Sequence, residues 1–190
     1  MIAEALAAVR SQLNDYLIRQ FDLTEDIAVL SNLADTEGRS EERVANKVAI
    51  TLVNVTQERN AMTNQRGSTG LSRSDISSPI LVNVSILVSA HFSGVKYEHA
   101  VNLLSAVVGF FHATRVFDHA NTPGLDTNID KLIIELEDAN TQDLSNLWSI
   151  HGGRYTPSVL YRLRVVSINA DQIRGEIPSA SEPETSVGGR

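Results

Sequence analysis

The chain has 190 residues, no cysteine and a formal net charge of −7. The missing cysteine excludes disulfides, thiolate catalysis and cysteine metal sites, and the acid excess argues against a nucleic-acid partner, which requires a basic surface to neutralise phosphates. The length suits one domain with a tail, and 42% hydrophobic residues are enough for a real core. No apolar run reaches the length of a membrane span, because Asn83, Ser85 and Ser89, then Asn102 and Ser105, interrupt the longest ones. Glu4 falls early and no basic start precedes an apolar core, so no signal peptide is expected. The chain is therefore expected to be made in the cytoplasm, which leaves open its later release within a particle.

Residues 2–20 read as an amphipathic helix: Ile2, Leu6, Val9, Leu13, Tyr16 and Leu17 recur at helical spacing, with Arg10, Gln12, Asn14 and Arg19 opposite. Ile27–Leu33 is a short strand candidate, and Asp35–Arg43 a charged turn carrying Gly38. Val44–Glu58 reads as a long strand apolar on both sides, as in a central strand covered on two faces. Asn60–Pro79 is polar and rich in Gly, Ser, Thr and Asn, and reads as a long mobile loop. Ile80–Phe92 alternates. Ile80, Val82, Val84, Ile86, Val88, Ala90 and Phe92 make the helix-facing side, and Leu81, Asn83, Ser85, Leu87, Ser89 and His91 a mixed side open to solvent or a neighbour.

After a Ser93-Gly94 turn, Lys96–Phe117 reads as a second long helix. Tyr97, Ala100, Val101, Leu104, Val107, Val108 and Phe111 form its stripe, with Leu103 and Phe110 beside it. It is apolar over more than half its circumference, so it is expected to contact the sheet and something else. Pro123-Gly124 turns into a strand at Ile129–Glu137 with Leu132, Ile134 and Leu136 inward. Asn140 caps a short helix, with Asp143 near its positive end. Leu144, Leu147 and Trp148, the only tryptophan, share one face of that helix, and Gly152 and Gly153 end it. Val159–Ile168 is a final strand. Beyond Ala170 the composition is that of a disordered tail. The order predicts an α+β domain over 1–170, with a mixed, mainly antiparallel sheet and helices packed on it, and a flexible tail over 171–190.

No motif carries chemistry. The five histidines, His91, His99, His112, His119 and His151, lack ligand spacing, so no metal is expected. Ser158 lies near His151 in sequence, but no G-x-S-x-G elbow supports a hydrolase. Gly67, Gly70, Gly94, Gly152 and Gly153 form no phosphate-binding signature, and no cofactor is implied. Trp148 reads as core, whereas Tyr155 is left open between core and recognition. Arg162 and Arg164 share one strand face, either solvated or paired with acidic groups of another subunit. With Arg66 and Arg73 of the polar loop, Tyr155, Arg162 and Arg164 are the candidate partner-contact residues.

The combination LSNLWS, a Gly break and RYTPSVLYRLRVV over residues 144–166 resembles the cap or tail-terminator family of contractile injection systems, including the extracellular type. MIAEALAAVRSQLNDYL, LVNVTQERN, SSPILVNVSILVSAHF, YEHAVNLLSAVVGFFHATRVF and KLIIELEDANTQDLSNLW follow in that family's order, so the resemblance covers residues 1 to about 170. It implies a tail-terminator-like fold forming a six-membered ring that ends the inner tube, stops its growth and contacts the contractile sheath. Its partners would be its own copies, the tube protein and the sheath protein. The alternatives are an adaptor or baseplate component of the same particle, or a small α+β hydrolase.

Overall fold

The computed structural model describes residues 1–34, 42–58, 81–92, 96–151 and 155–167. The Asn60–Pro79 loop, most of the Asp35–Arg43 turn, Ser93-Gly94, Gly152-Gly153, Arg66, Arg73 and the tail lie outside them. Helix α1 spans Ile2–Phe21 and buries Ala5, Leu6, Val9, Leu13 and Leu17 along the expected stripe. It closes at Asp22, whose φ of 50° is left-handed, with the Leu23 N–H bonded to the Ile18 carbonyl at 3.0 Å. Asn14 departs from its expected place among the solvated residues. It is buried, and its side-chain oxygen accepts from the N–H groups of Ile27 and Ala28 at 2.9 and 3.0 Å.

Six strands follow: β1 (Ala28–Leu30), β2 (Lys47–Gln57), β3 (Leu81–His91), β4 (Val116–Asp118), β5 (Ile129–Leu136) and β6 (Ser158–Ser167). They form one sheet in the order β1-β2-β3-β6-β5-β4. Only β1 and β2 are parallel, and every other neighbour is antiparallel. The mixed, mainly antiparallel sheet expected from the sequence is therefore present. Helices α1 and α2 (Tyr97–Ala113) cover one face, and α3 (Thr141–Ile150) covers part of the other.

The main core joins Val9, Leu13 and Leu17 of α1, Leu103, Val107 and Phe111 of α2, and the sheet positions Ile50, Val84, Ile86, Val88, Leu132, Leu163 and Val165. Fully burying each such aliphatic chain contributes about 1.5–3 kcal/mol relative to exposure, and this core dominates the stability. A second, smaller core of Leu33, Val44, Ala49, Leu87 and Trp148 lies under α3.

Five further expectations are corrected. The second long helix stops at Ala113, and Val116–Asp118 forms β4 because its backbone pairs with Lys131–Ile133 and Phe117 turns into the core. Its buried stripe is Ala100, Leu103, Val107, Phe110 and Phe111, leaving Tyr97, Val101 and Val108 exposed. The long strand begins at Lys47 after a 3-10 turn at Glu42–Val44 and a left-handed Asn46. It is buried on both sides only at Val48–Thr51, and beyond a bulge between Leu52 and Asn54 its residues are largely exposed. Leu136 is 58% exposed rather than inward, because it lies at the end of β5.

Candidate functional site

The face of the sheet opposite α1 and α2 is the one the sequence left mixed. Here α3 covers only one end, held at its start by reciprocal bonds. Asn140 Oδ1 accepts from the Asp143 N–H at 2.9 Å, and Asp143 Oδ2 accepts from the Asn140 N–H at 3.4 Å. Trp148 is buried against Leu87, and Tyr155 meets its indole edge-on at 5.7 Å while staying 64% exposed. Trp148 is core, as expected, and Tyr155, left open by the sequence, lies on the surface beside it.

Past α3 the strand registers bring polar side chains into one row. Asn54 and Thr56 of β2 face Ser85 and Asn83 of β3, which face Arg162 and Arg164 of β6. Those arginines in turn face Glu135 and Ile133 of β5. Arg162 donates to Glu137 Oε1 at 2.8 Å, and Ser85 donates to the other Glu137 oxygen at 3.2 Å. Arg164 lies 2.8 Å from Glu58. The hydrogen bond that Arg162 donates to Glu137, then the carboxylate's charge, raises the pKa of Arg162 further above its ordinary value. The arginines, expected to be solvated or to pair across subunits, are thus already paired within the chain. The carboxylates fix where the guanidinium groups point, and Tyr155 stays exposed on the same molecule.

The residues considered for hydrolysis are not brought together. Ser158 stands opposite Ser89 in the β3–β6 ladder, with its hydroxyl buried and unbonded among the described residues. The serine–imidazole contact is instead Ser89 with His91 Nε2, at 2.8 Å. Burial holds both His91 and His151 below the ordinary histidine pKa. Among the described residues no carboxylate bonds to His91 as an orienting group, and no three potential ligands converge as a metal site. His99 packs edge-on against Phe92 at 5.1 Å, and His119 bonds the Ile129 carbonyl at 2.9 Å.

Two grooves of mixed apolar and polar lining lie at opposite margins of the sheet. One, of about 260 Å³, is lined by Val108, Phe111, His112, Arg115, Leu136 and Tyr161. It continues the exposed α2 stripe of Tyr97, Val101 and Val108. The other, of about 410 Å³, is lined by Leu6, Leu30, Arg43, Ile50 and Leu52 among others. The sequence signalled the first through the excess apolar surface of the second helix. The second depends on β1 being only three residues long, which composition does not reveal.

Among the described residues no helix is long and apolar enough to cross a membrane. The described residues form a mixed α+β domain. The sequence matches the family described as the Pvc16 N-terminal domain over residues 4–182, and the chain belongs to that family. No curated protein matches it. Its fold is similar to the sheath/tube terminator of an extracellular contractile injection system, PVC, in the extended state. That match has a TM-score of 0.56 and 18% identity, covering 100% of this chain and 62% of the other. It is also similar to the tube-terminating cap of the anti-feeding prophage, with a TM-score of 0.59 and 15% identity, covering 96% of this chain and 60% of the other. The chain thus spans about three-fifths of the length of these two proteins. The terminator-like fold and family expected from the sequence are the ones found.

Proposed function

We propose that this chain is the structural terminator of a contractile injection system: a ring that seats on the last layer of the inner tube, stops its elongation and anchors the sheath. What carries the reading is membership of the Pvc16 N-terminal domain family, together with a fold similar to two proteins described as tube-terminating. The two unlike margins of the sheet support it as well. A ring built head to tail needs two unlike surfaces per subunit and a rotation that closes. The six-membered number follows the family resemblance.

The action is geometric and needs no catalysis or cofactor. One ring face matches the tube, and the other offers no site for a further tube layer. Tyr155, Arg162 and Arg164 on the partly uncovered sheet face, with Arg66 and Arg73, are the proposed contacts to tube or sheath. Residues 1–170 act as the ring-forming domain and 171–190 as its tail. The protein is made in the cytoplasm and leaves it within the particle.

Negative-stain electron microscopy of the purified chain, alone and mixed with short tubes of its cognate tube protein, tests this. The expected result is closed rings, seated on tube ends that no longer elongate. A monomer that leaves tube growth unchanged overturns the reading.

A further inference from the structure

Both outer edges of the sheet are stepped. On one, β1 pairs with β2 only at Val48–Ile50, and the Ser31 N–H adds a bond to the Ile50 carbonyl. Among the described residues nothing pairs with the outer side of β2 beyond this. The Glu58 N–H turns inward to Leu81, so by alternation the backbone groups of Val55 and Gln57 point outward. On the other edge, β4 pairs with β5 only at Lys131–Ile133, and the Arg115 carbonyl accepts from the Ile134 N–H. By the same alternation the backbone groups of Leu136 point outward, and among the described residues they meet no strand.

The registers put the steps at complementary heights. β1 stands at the His91 end of β3, where Val48 faces Ala90 and Ile50 faces Val88. β4 stands toward the Leu81 end, since Lys131 faces Val166, which faces Leu81. The bare part of β2 is thus level with β4. The bare end of β5 stops short of the level of β1, because Leu136 faces Tyr161, which faces Ile86, whereas Leu30 faces Ile50, which faces Val88. Each edge therefore has a projection where the other has a recess.

Side chains match too. Leu136, 58% exposed, projects on the α2 side of one edge, and Leu30 and Leu52, 41% and 45% exposed, project on the α1 side of the other. Glu135 and Arg115 border the first and Arg43 the second, so Glu135 is the group of opposite charge to Arg43. Strand directions across such a seam are mixed, as in the sheet itself: β1 runs antiparallel to β5, whereas β4 runs parallel to the bare part of β2.

We infer that neighbouring copies join edge to edge, the β4/β5 margin of one subunit against the β1/β2 margin of the next, so that sheet hydrogen bonding continues around the ring. This rests on the ring reading above and names the seam within it. Because the two margins differ, neither is the complement of itself, and the contact is heterologous.

The absence of native cysteine makes the test clean. Full-length Leu30→Cys and Leu136→Cys variants are prepared, treated with a short thiol-to-thiol cross-linker singly and mixed, and their assembly is followed by native mass spectrometry. The mixture is expected to give a covalent dimer containing one copy of each. Each single variant is expected to give none, and the double variant a ladder ending at the ring number. Leu136→Lys is expected to lose the oligomer while keeping the urea midpoint of the monomeric fold. Rings that form without the mixed cross-link overturn the seam and leave the ring reading standing. Homodimers from a single variant, or edges occupied by other segments of the same chain and giving no product, overturn it equally. A chain that stays monomeric overturns both.

Discussion

Asn14 fastens helix α1 to strand β1. Its oxygen takes two backbone N–H groups and its nitrogen donates to Asp26 at 2.8 Å, so one side chain closes the turn that sends the chain from helix to sheet. Asn14→Ala leaves both amides without that acceptor in a buried site. The expected loss is roughly 2–4 kcal/mol in urea unfolding, and a loss under about 1 kcal/mol would show that water replaces the side chain. Helical spacing alone assigns Asn14 to the polar side, because its partners lie 13 and 14 residues away. Tyr161 presents the converse case. Its hydroxyl is buried and unbonded among the described residues, under Phe111 at 4.8 Å, and burial pushes its pKa up to about 12. The folded value lies above the unfolded one. The stabilisation is therefore fully present below about pH 10 and lost as pH rises toward 12, amounting to roughly 2 kcal/mol. Tyr161→Phe removes a polar group that has no partner to lose, so at neutral pH it is expected to unfold at the same urea concentration or a higher one. It should also flatten the alkaline limb, and an unchanged limb would assign that loss to other groups.

Among the elements, α3 has the simplest division of labour. Asn140 starts it, Trp148 pins it to the second core, and the rest of its surface is exposed or partly so. Asn140→Ala is expected to cost about 1 kcal/mol through the lost cap. Trp148→Ala is expected to cost about 3–5 kcal/mol, because it empties the centre of that core. Hydrogen exchange separates the two: the first substitution should speed exchange only in α3, the second also at Leu87 and Ala49 beneath it. Uniform exchange throughout the sheet in both would contradict a separately held helix. This element was legible because its cap, apolar face and stop are all local signals. The end of α2 was not. Thr114 and Arg115 include neither Gly nor Pro, and what turns Val116–Asp118 into a strand is the partner segment at Lys131–Ile133. Leu136 was misplaced for a related reason. Alternation shows which side of a strand a residue occupies, but burial also requires cover, and Leu136 lies at the sheet margin in an open groove beside α2.

For the whole molecule, the sequence carried the class, the helix order and most core positions, since these follow from hydrophobic period. Strand order was not legible, because nothing local says that β6 inserts between β3 and β5. The arginine pairings depended on that insertion. Once β6 is central, Arg162 and Arg164 come within reach of Glu137 at the end of one neighbour and Glu58 beyond β2. The stepped margins have a further consequence for the free protein. A long, flat, unpaired strand recruits any other strand and seeds fibres. Here each margin is interrupted by a three-residue strand, and one is also bent by the bulge after Leu52. A stray extended peptide meets only a few consecutive backbone groups before the height changes. The same irregularity that admits a matched neighbour therefore protects a newly made subunit from indiscriminate stacking while it waits for its particle.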